Sequence, residues 1–229
     1  MPLACGCCGF STVTDLQPNL FAVLALISAF GLVIFVVVTM TSFIKISVVM
    51  FLLRNALGIQ QTPPNLVLYA IAVVLTIFIS MPVAQAVYNR INDQASDFKT
   101  FSDWVSAADR VREPLREHLK RFTTAAEREF FLGATTRLWS DQPHAAVASD
   151  DLIILVPSFV SSELKRAFEI GFLLYLPFIA IDLIVSAVLM SLGMSMVPPM
   201  TISVPFKLFL FVLVEGWSKL LHGLVLSYV

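Results

Sequence analysis

The chain has 229 residues, of which 58% are hydrophobic and only 14% charged, with a formal net charge of -1. Ordinary soluble domains carry about a quarter charged residues, and this near-neutral balance has no basic run able to grip phosphates, which excludes a nucleic-acid partner. A mean hydropathy of +0.85, arranged in long blocks, points to a chain buried in lipid or in other chains.

Residues 1–19 read as an N-terminal tail. It holds all the cysteines, Cys5, Cys7 and Cys8, which lie too close together to staple a fold. Residues 20–38 carry no charge and approach the roughly 20 residues that cross a hydrocarbon core, so they predict a retained first hydrophobic helix. The next stretch stays apolar but admits Lys45 and Arg54, and ends at Gly58-Ile59-Gln60-Gln61-Thr62-Pro63-Pro64-Asn65, where paired prolines and amides must turn the chain. Residues 66–84 predict a second uncharged helix, with Pro82 near its end. Residues 20–87 therefore form an N-terminal hydrophobic helical hairpin.

Most of the charged residues fall within 88–151. Trp104, Ala108, Val111, Leu115, Leu119 and Phe122 recur there at steps of three and four, the stripe of an amphipathic helix. Pro114 is expected to open a new helix, and Glu117 with Arg121 to form an i,i+4 pair. This is a soluble helical insert. Beyond it, residues 152–159 are apolar but short, and the polar run from Ser161 to Arg166 precedes a third long apolar block over 171–197. After Pro198-Pro199 a fourth block runs over 202–229. Residues 152–229 predict a second hydrophobic hairpin, and the fold class is all-α with about four long apolar helices. Four crossings place both termini on the side of the insert. The basic connection holding Lys45 and Arg54 then lies opposite, and the positive-inside rule makes that side cytoplasmic and the insert periplasmic.

Charges within the apolar blocks need partners, because an ionised group at the bilayer centre costs about 2.5 to 3.5 kcal/mol. Glu163, Lys165, Asp182, Lys207 and Glu215 are candidates for inter-helix or inter-subunit ion pairs, with Asp182 set against Lys207. Asp182 is alternatively a locally hydrogen-bonded helix residue, or a proton-coupled site. Met190, Met194, Met196 and Met200 cluster around the double proline. Ordinary apolar packing at a helix end accounts for them, and a ring of flexible, polarizable side chains able to close around an irregular object is the alternative. No metalloprotease, phosphate-loop, dinucleotide or nucleophile-elbow motif is present, and His118, His144 and His222 are scattered. No residues are left to carry enzymatic chemistry, and no cofactor is expected.

Longer runs are more specific. Thr41-Ser42-Phe43-Ile44-Lys45-Ile46, Leu53-Arg54-Asn55-Ala56-Leu57-Gly58, Gln60-Gln61-Thr62-Pro63-Pro64-Asn65 and Met81-Pro82-Val83 stand in the first half. Ser161-Ser162-Glu163-Leu164-Lys165-Arg166-Ala167-Phe168, Ile181-Asp182-Leu183, Val197-Pro198-Pro199, Pro205-Phe206-Lys207-Leu208 and Val214-Glu215-Gly216-Trp217 follow in the second. In this order the chain closely resembles the FliP/SctR family of type III export proteins, over residues 39–84 and 150–220. The Lys45 position and the wording of residues 52–61 resemble the injectisome branch, SctR.

The resemblance implies a helical oligomer, a homopentamer joined by the S- and T-type export proteins. Such an assembly forms a pore for unfolded secreted proteins at the base of the secretion machine in the bacterial inner membrane. It implies a methionine constriction at Met194 and Met196, with Met190 and Met200 as neighbours, and Ser195 departs from the family's run of three methionines. A structural nucleus that does not line the path, and a small-molecule transporter, are the competing readings.

Overall fold

The computed structural model describes residues 16–59, 62–92, 101–138, 147–194 and 196–229. Side chains are described outside 16–19, 91 and 101–110, so Cys5, Cys7, Cys8, Ser195 and the side chains of Trp104 and Ala108 lie outside the description. Among the described residues there are eight helices and no strand.

The chain divides into two units, residues 1–37 and 38–229. The first contributes most of α1, Leu16–Met40, a helix with no charged side chain whose residues are exposed from Leu20 to Val36. A helix apolar on every face suits lipid or a fully enclosing protein surface.

The second unit is organised around α2, Phe43–Ala56. Ile46, Val49, Met50, Leu53 and Ala56 are all essentially inaccessible, at the spacing that puts them on one helix face. Lys45 and Ser47 are buried as well, and the Ser47 hydroxyl donates to the Phe43 carbonyl at 2.7 Å. The segment expected as a connection is thus a core helix, packed between α3, Asn65–Asn92, and α6, Leu152–Ser191. On α3 the buried stripe is narrow, Leu68, Ala72 and Thr76, while Leu66, Val74, Ile77 and Phe78 are exposed.

A single helix of 40 residues, α6, replaces the expected short block, polar run and separate third block. Its length is about 60 Å at 1.5 Å per residue, roughly twice a hydrocarbon core. The polar run does not interrupt it because its residues sort by face: Ser162 and Glu163 turn inward, Leu164 and Lys165 outward. Gly171 faces α2 so closely that a Cβ there would lie 2.3 Å from Leu52 Cδ1. The chain closes with α7, Pro199–Leu213, and α8, Gly216–Leu226, bent by 62° at their junction.

The insert comprises α4, Phe101–Phe122, and α5, Ala125–Leu138. Pro114 lies inside α4. Packing of Leu119 and Phe122 against Leu155, Phe159 and Tyr228 carries the helix across the missing proline donor, each large side chain contributing about 1.5 to 3 kcal/mol on burial. Arg121 does not close on Glu117; it donates to the Val229 carbonyl at 3.0 Å. Burial, and then the Arg121 charge, lower the His118 imidazole below its ordinary range, which keeps it neutral beside Phe122 and Phe159. The polar run on α6 serves α5: the Thr124 amide donates to Ser162 Oγ at 3.1 Å and Ser161 Oγ to Glu127 Oε2 at 2.8 Å.

Candidate constriction loop and buried ion pairs

The methionine segment is held at both ends by backbone chemistry. Gly193, with φ of +72°, ends α6 in a paired-bond stop: its amide donates to the Met190 carbonyl at 3.1 Å and the Met194 amide to the Leu189 carbonyl at 3.0 Å. A left-handed position directly after a helix favours glycine, which bears no Cβ to clash there. Pro198 then precedes Pro199, the first residue of α7, where proline's missing donor is harmless. Between these stops the described residues Met194, Met196 and Val197 lie outside helix. Met190, Met194, Met196 and Met200 are all exposed, Met196 at 96%. The first turns of α7 lie against Gly58, whose added Cβ would come within 3.0 Å of Val204 Cγ2 and 4.0 Å of Met200 Cε.

Further along α6 and α7, Lys207 Nζ lies 2.7 Å from Asp182 Oδ2 and donates to the Ala56 carbonyl at 3.0 Å. Ala56 ends α2, so its carbonyl has no helical donor of its own and welcomes a cation. One ammonium therefore ties α2, α6 and α7 together. Asp182 Oδ1 is left without a donor among the described residues.

The second charged cluster joins α2 and α6 at their other ends. Lys45 and Glu163 are both wholly buried, with Nζ 3.4 Å from Oε2. The Lys45 ammonium is close enough for charge attraction, yet no N–H is aligned for a hydrogen bond. It sits 3.4 Å from the centre of the Tyr228 ring, whose hydroxyl donates to Glu163 Oε2. Arg166 Nη1 stands 3.5 Å from Glu163 Oε1.

Of the charged residues singled out from sequence, Asp182 meets Lys207, and Glu163 meets Lys45 and Arg166. Lys165 is exposed and makes no ion pair among the described residues. Glu215 is exposed at the α7–α8 bend with φ of 54°, a left-handed conformation that costs an L-residue about 1 to 2 kcal/mol. The Phe211 ring lies against Gly216 there, 2.2 Å from where a Cβ would stand. Lys45 and Tyr228 were not singled out as partners. Lys45, a cation within an apolar stretch, is the available signal; Tyr228 offers none. Among the described residues no group of three or more His, Cys, Asp and Glu could hold a metal ion.

Three helices, α1, α3 and α6, are long and apolar enough to cross a membrane, and α7 with α8 makes a fourth if the bent pair is one span. Together with the paired charges of Lys45, Glu163, Asp182 and Lys207, this defines an all-helical membrane protein with an exposed methionine segment. The chain belongs to the FliP family, whose model matches residues 26–224. It is 58% identical over 216 residues to the "Probable translocation protein y4yL" of Sinorhizobium fredii, covering 94% of this chain and 97% of that one. It is 47% identical over 210 residues to the "Yop proteins translocation protein R" of Yersinia pestis, covering 92% and 95%. It is 43% identical over 220 residues to the "Virulence protein YscR" of Salmonella typhimurium, covering 95% and 99%. These names support the injectisome branch expected from Lys45 and residues 52–61.

Proposed function

We propose that this chain is a core subunit of a type III secretion export gate. In this reading five copies join S- and T-type partners to enclose a path for unfolded secreted proteins across the bacterial inner membrane, with the insert on the periplasmic side. Met194 and Met196 line the constriction, with Met190 and Met200 beside it. The observation that carries the reading is the loop of exposed methionines between two rigid helix ends. Four apolar side chains left uncovered by their own chain need an apolar neighbour, and symmetry-related copies of the same loop supply one.

Methionine suits the task. Its unbranched, polarizable side chain fills irregular gaps, so a ring can close on itself or on a passing polypeptide. The backbone on either side is fixed, so yielding falls to side chains. Translocation and virulence in the names of the relatives support the transport role.

The experiment is conductance of the purified complex of this chain with S- and T-type partners in a planar bilayer, with subunit ratio read by mass. Replacing Met194 and Met196 together by Ala is expected to raise resting conductance without changing the ratio. Unchanged conductance in an intact complex would favour a structural nucleus that does not line the path. A lone chain with transport activity would overturn the gate reading.

A further inference from the structure

Tyr228 touches both the buried ion pair of α2 and α6 and the insert helix α4. One face of its ring receives the Lys45 ammonium, 3.4 Å from the centroid, and its hydroxyl donates to Glu163 Oε2. The ring also meets the insert, with Phe122 of α4 edge-on at 5.1 Å between centroids. Next to that contact Arg121 donates to the Val229 carbonyl at 3.0 Å. Tyr228 is 7% exposed.

We propose that Tyr228 is a positioning residue that couples docking of the insert helix α4 to the buried Lys45–Glu163 pair, making the two a single cooperative unit. The physical case has three steps. Lys45 Nζ has no aligned hydrogen-bond acceptor, so its place is fixed by charge and by the ring beneath it, and a desolvated cation over an aromatic face is held more strongly than an exposed one. Glu163 Oε2 receives the phenol, a charge-assisted bond that fixes the carboxylate in the plane Lys45 faces. The same ring is the surface on which Phe122 rests, so moving α4 away uncovers the ring, admits water to the pair and loosens both. Among the described side chains neither Lys45 nor Glu163 makes an ion pair or ring contact with α4; beside the direct packing of Leu119 and Phe122 on Leu155 and Phe159, Tyr228 is the side chain that meets both the pair and α4.

α5 provides the internal control. It is docked on α6 through Ser161 and Ser162 and does not use Tyr228. The inference concerns contacts within one chain and stands whether or not the gate reading holds.

The test is amide hydrogen exchange on the full-length chain in lipid nanodiscs, comparing residues 115–122 of α4 with residues 125–138 of α5. Tyr228→Phe keeps the ring and removes only the hydroxyl; it is expected to speed α4 exchange about tenfold, the scale of one lost hydrogen bond to a charged group. Tyr228→Leu, which also removes the ring, is expected to speed it further. Lys45→Met is expected to speed α4 exchange although Lys45 pairs with none of the described α4 side chains, while α5 stays at the wild-type rate. If Lys45→Met does not fold, Glu163→Gln takes its place with the same expectation. Wild-type α4 exchange in Tyr228→Phe, or equal acceleration of α4 and α5 in every variant, overturns the proposal.

Discussion

Lys207 carries more than its partner does. Asp182→Asn leaves the ammonium its bond to the Ala56 carbonyl, whereas Lys207→Met strips both the α2 terminus and the Asp182 carboxylate of their donor. Lys207→Met is therefore expected to cost on the order of 3 kcal/mol and Asp182→Asn clearly less. Protease resistance of the purified chain, read as the population of opened molecules, checks the order; equal damage from the two would show that the Ala56 carbonyl contributes nothing. The need for a partner at Asp182 was legible in sequence, because an acid inside a long apolar block is costly. The identity of the acceptor at Ala56 was not, since a backbone carbonyl leaves no mark in the sequence. Tyr228 was invisible for a related reason: a tyrosine in an apolar stretch looks like packing until its hydroxyl is seen to reach a buried acid 65 positions away.

Among the elements, the contact of α2 with α6 is the tightest to read and the easiest to break. Gly171→Ala drives a methyl group into Leu52, and overpacking of this kind costs about 1 to 3 kcal/mol. Thermal unfolding should show the loss, and Leu52→Ala in the same chain should recover part of it; a double variant no better than Gly171→Ala would place the strain elsewhere. The insert has a separate, electrostatic attachment. Asp150 meets Lys120 at 2.5 Å and Arg128 at 3.5 Å, and the Lys120 hydrogen bond holds its carboxyl below the usual carboxylate range. Because the folded value lies under the unfolded one of about 3.9, this contribution is complete above that value and fades as pH falls through the folded one. The unfolding temperature of Asp150→Asn should trail wild type by a constant margin from about pH 7 to 5, and the margin should close below about pH 4. A margin that persists in acid would mean that Asp150 acts by shape rather than charge. Long uncharged blocks announced α1 and α3 in the sequence. The continuity of α6 was masked because Ser161 and Ser162 look like a loop, although they are the seat of α5.

On the scale of the whole chain, the structure shifts the weight of the argument for partners. The charges within the apolar blocks left open whether their partners lie in this chain or in a neighbouring copy, and Lys45 and Lys207 find them within this one. The stronger indication is apolar: α3, the outer faces of α6 and α7, and the methionine loop expose large hydrophobic side chains beyond what an isolated soluble chain tolerates. The resemblance read from the sequence and the family assignment agree on what kind of chain this is. The shape of its exposed faces was not legible there, since hydropathy records how apolar a residue is and not which way it turns.

The single helix α6 also has a mechanical consequence. The insert grips its first turns, through Leu155 and Phe159, and the methionine loop leaves from its last. At about 60 Å from end to end, the helix spans the distance between insert and loop as one continuous strut, held along its length by Gly171 against Leu52 and by Asp182 on Lys207.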